Sequence, residues 1–283
     1  DRTQNPAALQ AARRHLDTLL AEVGPGKTNI ANLGEHKGLA ASSVLEPVVL
    51  LYQRTGDRKY LQFAQYIVGQ WSRPSRTLPD GLRLIEEAMA HTPPAKMSWN
   101  KAYEMMSCFE GLCELYRVTG TWEYREAATR LADSILRNEV TIVGPGTSVE
   151  VWCAGHTKQT GVVDRPMETC VTATWMKLLY QVLRLTGEPR FADELEKNLY
   201  NGLLGAMMPD GSWWAYFSAP MGERVPSDMQ HADVGRSCCV GNGPRGLMLT
   251  PVGAGMTSAE GPVINLCTPM HAHLSTPGGK PLD

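Results

Sequence analysis

The sequence predicts an all-α fold of the α/α toroid kind, with inner and outer helices alternating and loops gathered at one end. Three observations predict it. Apolar residues recur at helical spacing along most of the chain. One helix–turn–helix signature occurs three times, and the loops between its copies are too long for an open helical solenoid, the competing architecture.

The first helix is predicted to start at Asn5, with Pro6 in its first turn. Leu9, Ala12, Leu16, Leu19 and Val23 then form one apolar stripe, and Gly24-Pro25 ends it. Pro47 sits early in the next helix, where a missing N–H costs least. That helix closes on Leu51-Tyr52-Gln53-Arg54-Thr55-Gly56, the first copy of the signature. Leu61, Ala64, Val68 and Trp71 form the stripe that follows. Met105, Phe109, Leu112 and Tyr116 lead into the second copy, Leu115-Tyr116-Arg117-Val118-Thr119-Gly120. Val171, Trp175, Leu178, Val182 and Leu185 lead into the third, Val182-Leu183-Arg184-Leu185-Thr186-Gly187. Four residues past each glycine stands an aromatic, Tyr60, Tyr124 or Phe191. Each copy reads as a helix, a glycine-terminated tight turn and a second helix anchored by the aromatic.

Residues 72–99 and 139–167 are rich in Pro, Gly and polar residues, and read as long loops. Asp210-Gly211 signals a turn before a strand-like run, Ser212 to Phe217, and Pro262 to Cys267 is strand-like again. The expected organisation is an α/α-barrel domain over residues 1–255, short of some N-terminal helices, then the start of a β-rich domain or a tail over 256–283.

With 27 Lys plus Arg against 29 Asp plus Glu, the net charge of −2 gives no electrostatic case for nucleic acid or an anionic membrane. No apolar run reaches membrane-spanning length. Seven cysteines without regular spacing do not form a disulfide framework in a chain of this size. No signal peptide is visible, and the compartment and oligomeric state stay open.

Two cysteine motifs carry the chemistry: Glu168-Thr169-Cys170 and Cys238-Cys239-Val240-Gly241-Asn242. One carboxylate and three thiols suffice to fill the tetrahedral sphere of a zinc ion. A thiol bound to zinc is held as thiolate, and a thiolate is a nucleophile. The adjacent cysteines are expected on a loop, and Cys170 near a helix start, where the dipole favours an anion.

The Glu-Thr-Cys motif opening an apolar helix, followed by Cys238, Cys239, Asn242 and Arg245 in a Cys-Cys-x-x-Asn-x-x-Arg pattern, resembles the β-L-arabinofuranosidase-type glycoside hydrolases, family 127 and its relatives. The resemblance runs from about Gly34 to Asp283. It implies an (α/α)6 barrel, here incomplete, since roughly eight helices are read where the barrel needs about twelve. It implies Zn2+ held by Glu168, Cys170, Cys238 and Cys239, with Cys238 as nucleophile. It places the acid/base glutamate in the loop before Glu168, where Glu150 matches best. The implied activity is retaining hydrolysis of a carbohydrate, releasing β-L-arabinofuranose or a related sugar. Two Gly-His pairs of the family are missing: Ser42-Ser43 stands at the first place, and Ala102-Tyr103-Glu104 lies near the second.

Retaining hydrolysis needs Glu150 protonated first, so its pKa is expected to be raised by a semi-buried site or by nearby negative charge. Trp152, His156, Gln159, Asn242 and His36 are candidate sugar contacts; Asn242 and Arg245 either orient the cysteine pair, the favoured reading, or contact substrate. Cys108, Cys113, Cys153 and Cys267 read as packing residues, and Trp213, Trp214 and Tyr216 as hairpin packing. Two other functions compete. One is a metal-independent α/α-barrel lyase or unsaturated-uronyl hydrolase. The other is a non-catalytic, zinc-stabilised helical scaffold.

Overall fold

A computed structural model describes residues 5–226 and 237–282. The chain is mostly helical and divides into two compact units, each described by itself. The first comprises Asp1–Thr92, Lys96–Trp99 and Ser107–Ala128; the second comprises Pro93–Ala95, Asn100–Met106 and Thr129–Asp283.

In the first unit, Asn5 caps the helix Pro6–Glu22 by accepting from the Ala7 amide. Its expected apolar stripe is only partly used: Leu16 and Val23 are buried, but Leu9 is 38% exposed. The helices Leu45–Thr55 and Arg58–Trp71 pack as a hairpin across a two-residue turn. Gly56 takes the left-handed conformation at the turn (φ 69°), as its lack of a Cβ permits. Thr55 Oγ1 donates to the Leu51 carbonyl and accepts from the Asp57 amide, closing the turn from both sides. Tyr60 is fully buried four residues on, and its hydroxyl donates to Asp17. The same Thr-Gly closure ends the helix Ala102–Thr119.

In the second unit, the closure recurs at Thr186-Gly187, between the helices Thr169–Thr186 and Pro189–Lys197. Thr169–Thr186 is buried along much of its length and forms the core of this unit. Cys238 to Leu247 is also a helix and packs on it. The cysteine pair therefore opens a helix instead of lying on a loop, a correction to the sequence reading. Helix formation over Cys-Cys-Val-Gly-Asn-Gly-Pro-Arg is not favoured by glycine and proline propensity. Packing overrides it. A Cβ at Gly246 would meet Leu203 at 2.9 Å and Ala173 at 3.3 Å, so small residues let the two helices approach closely.

The expected strands form, shortened. Ala215–Ser218 pairs antiparallel with Arg224–Pro226, and Gly255–Thr257 with Pro262–Ile264. A hairpin not foreseen from sequence, Thr147–Ser148 with Val151–Trp152, lies inside the long 139–167 loop. Single β-bridges extend this hairpin sideways: Lys101 pairs with Val151, Ser148 with Pro166, and Glu168 with Phe217. A narrow β layer thus runs from residue 101 through 151, 166 and 168 to 217. It ends where the buried helix begins. Among the described residues, no helix is long and apolar enough to cross a membrane.

Candidate functional site

Glu168 is the last extended residue before the helix Thr169–Thr186, and Thr169 Oγ1 ties that helix start to the Ala215 carbonyl at 2.7 Å. Cys170 follows in the first turn. Cys238 and Cys239 are the first two residues of their own helix. Two helix N-termini, each with positive dipole charge and unsatisfied N–H groups, therefore carry the three sulfurs.

The four groups converge. The Glu168, Cys170, Cys238 and Cys239 ligand atoms lie within 4.8 Å of one another. Cys170 Sγ is 3.1 Å from Cys238 Sγ and 3.5 Å from Cys239 Sγ. Glu168 Oε1 is 3.7 Å from Cys238 Sγ and 3.8 Å from Cys239 Sγ. A tetrahedral zinc site with arms of about 2.3 Å has edges of about 3.8 Å, so these separations suit that ion. Charge points the same way. Burial, with Glu150 and Cys238 nearby, pushes the Glu168 carboxyl well above the usual range. The Cys238 and Cys239 thiols, together with burial, push the Cys170 thiol up. Cys239 is pulled down by its contact with Cys170, but Cys238 and burial outweigh that and raise it. Four acids so close repel one another's anions, and a divalent cation resolves the conflict.

Burial separates the four. Glu168, Cys170 and Cys239 are buried, and Cys238 is exposed. Asn242 Nδ2 donates to Cys170 Sγ and to the Cys238 carbonyl, both at 3.2 Å. Arg245 donates to Asn242 Oδ1 at 3.3 Å and to the Tyr103 hydroxyl at 3.5 Å.

Glu150 stands at the tip of the 147–152 hairpin. Val149 and Glu150 form its two-residue turn, with φ of 49° and 67°. Lys101 Nζ contacts Glu150 Oε2, and the Tyr216 hydroxyl donates to Oε1. Burial pushes the Glu150 carboxyl up, but the bonds from Lys101 and Tyr216 outweigh it, and its pKa is lowered. The sequence reading expected the opposite. It weighed the negative charges and had no sign of the lysine. Cys238 is close enough to Glu150 to act on its charge. Lys101 and Tyr216 are the contacts of Glu150 that sequence reasoning does not find. Tyr216 was read as hairpin packing, and Lys101 has no motif of its own; only pairing of the 100–102 and 150–152 segments reveals it.

Trp152 is 1% exposed, its ring enclosed. His156 Nδ1 meets the Val140 carbonyl at 3.1 Å. Gln159 accepts from the Ile142 amide and donates to the His156 carbonyl, so both bind their own loop. His36 belongs to the first unit, stacked on Trp99.

The chain is similar to several known proteins. The family model described as "Beta-L-arabinofuranosidase, GH127 catalytic domain" matches residues 1–250. A non-reducing end β-L-arabinofuranosidase of Bifidobacterium longum subsp. longum is 22% identical over 269 residues, 85% of this chain. The chain spans 40% of that relative's length. Among solved structures, a GH127 β-arabinofuranosidase superposes with a TM-score of 0.62 at 21% identity, over 92% of this chain and 39% of that one. A GH127 β-L-arabinofuranosidase from Geobacillus stearothermophilus T6 gives 0.61 at 17% identity, over 88% and 42%. These likenesses show the fold, that of the α/α-barrel proteins. With the matched family model covering most of its length, the chain belongs to the GH127 β-L-arabinofuranosidase catalytic-domain family.

Proposed function

We propose that this chain carries the catalytic centre of a retaining glycoside hydrolase that releases β-L-arabinofuranose, or a related sugar, from a glycan. In this reading Glu168, Cys170, Cys238 and Cys239 hold Zn2+, Cys238 is the nucleophile, and Glu150 is the acid/base. The observation that carries it is the exposure of Cys238 alone within a buried ligand set, with Glu150 in electrostatic reach.

Bound zinc would keep the sulfurs as thiolates at neutral pH. In the first step Cys238 Sγ attacks the anomeric carbon while the glycosidic C–O bond breaks. Glu150 gives its proton to the departing oxygen. In the second, ionised Glu150 takes a proton from water. The water oxygen then bonds to the anomeric carbon, and the C–S bond breaks to return the thiolate. Trp152, His156, Gln159 and His36 have no assigned part in these steps.

A closed structural zinc site is the rival reading, and an exposed ligand sulfur speaks against it. The test is mass spectrometry after incubation with an electrophilic arabinofuranose mimic, with zinc counted in parallel. One zinc per chain and an adduct on Cys238 are expected. An adduct on Glu150, or zinc without any adduct across a range of furanosides, overturns the reading.

A further inference from the structure

Glu150 is gripped from two sides. The segment Asn100–Ala102 runs beside Glu150–Trp152 and is pinned to it along the backbone. Ala102 N donates to the Glu150 carbonyl at 3.1 Å, and Trp152 N donates to the Asn100 carbonyl at 2.9 Å. Asn100 Nδ2 adds a bond to the Trp152 carbonyl at 3.0 Å. The intervening Lys101 is 8% exposed, and its ammonium reaches Glu150 Oε2. On the other side, Tyr216 comes from the strand Ala215–Ser218, and its hydroxyl reaches Oε1. The neighbouring Phe217 bridges to Glu168, which fixes Tyr216 relative to the sulfur cluster.

We propose that Lys101 is a positioning residue for Glu150: with Tyr216 on the opposite oxygen, it holds the carboxylate in one orientation toward the reacting bond. The inference rests on the reading of Glu150 as acid/base. A carboxylate offers about four lone-pair sites. Two are taken by Lys101 and Tyr216, so the remaining ones define where a sugar oxygen or water is met.

Charge gives the arrangement its direction. The groups that act on Lys101 are Glu150 on the hairpin, Glu104 on the helix Ala102–Thr119, and Glu168 before the buried helix. Those that act on Glu150 include Lys101, Tyr216 and Cys238. Burial pushes the Lys101 ammonium down, but these carboxylates outweigh it and keep it charged. When Glu150 releases its proton to a leaving oxygen, the new carboxylate forms against an ammonium and a hydroxyl already in place. The same pair favours the carboxylate at rest as well, so its part in the reaction is to fix the direction from which Glu150 meets the leaving oxygen or the water. No proton leaves Lys101.

The test uses the full chain, with alkyl and 2,4-dinitrophenyl β-L-arabinofuranosides as probes. An alkoxide needs its proton to leave and a dinitrophenolate does not. Lys101→Met is expected to lower kcat/KM, which reports the bond-breaking step alone, about 100-fold on the alkyl glycoside and less than about 5-fold on the dinitrophenyl glycoside. Tyr216→Phe is expected to share that pattern, which keeps the inference testable if Lys101→Met folds poorly. In a Glu150→Gln background, Lys101→Met should add almost nothing. Equal losses on both glycosides, or a full further loss in the Glu150→Gln background, overturn the inference. If Glu150→Gln itself spares the alkyl glycoside, the acid/base reading fails instead, so the two failures are told apart.

Discussion

Gly243 sits one turn into the helix that begins with Cys238, and the Trp214 ring lies where its side chain would be. A Cβ there would come within 2.1 Å of the ring. Trp214 is itself buried, so the ring has little room to retreat. Gly243→Ala is therefore expected to cost about 1–3 kcal/mol in denaturant unfolding and, on the proposed reading, to lower the zinc content by tilting the helix that carries Cys238 and Cys239. Unchanged stability and full zinc would show that the helix does not depend on this contact. Single residues were legible in the sequence when their chemistry is rare. Three cysteines and a glutamate in two short motifs announced themselves, and they do meet. Lys101 and Tyr216 were not legible, because lysine and tyrosine are common. Their meaning comes from strand neighbours far away in sequence.

The turn at Val149-Glu150 is the element most at odds with its own sequence. Two-residue hairpin turns with positive φ at both centres favour Asn-Gly or Asp-Gly, and a β-branched residue there is strained. Nothing in Val149-Glu150 signals such a turn, so the hairpin went unread. Val149 is exposed and loses no packing when replaced. Val149→Asn is expected to raise stability by about 1 kcal/mol in denaturant unfolding, while leaving kcat unchanged. A destabilised variant would mean that the valine side chain holds the turn. The helical elements were legible, by contrast. Apolar spacing located them, and Gly56, Gly120 and Gly187 end three of them with φ near 70°. The Cys238 helix escaped because its glycines and proline argue against a helix, and only close packing explains them.

For the whole molecule, a cation bound by the folded state alone adds stability through linkage. At a thousandfold excess over its dissociation constant the gain is about 4 kcal/mol, so a strong chelator should lower Tm by about 10 °C. Without the cation, the Glu168 carboxyl is raised by burial and its neighbours. A raised folded-state pKa favours folding at low pH and loses that benefit as pH rises. With the cation bound the order reverses, since its ligands must be deprotonated. The chelator-induced drop in Tm should thus widen from acidic to neutral pH, and a drop that is constant or absent would exclude a stabilising metal in the second unit.

Cys170 and Cys238 are 68 residues apart in the chain and 3.1 Å apart in space. Their meeting requires one of the widest loops in this unit to close, a slow event in any folding sequence. A metal held by these groups would be captured only after that loop has closed. Until a metal binds there, the exposed Cys238 is the member of the set that solvent-borne oxidants would meet first.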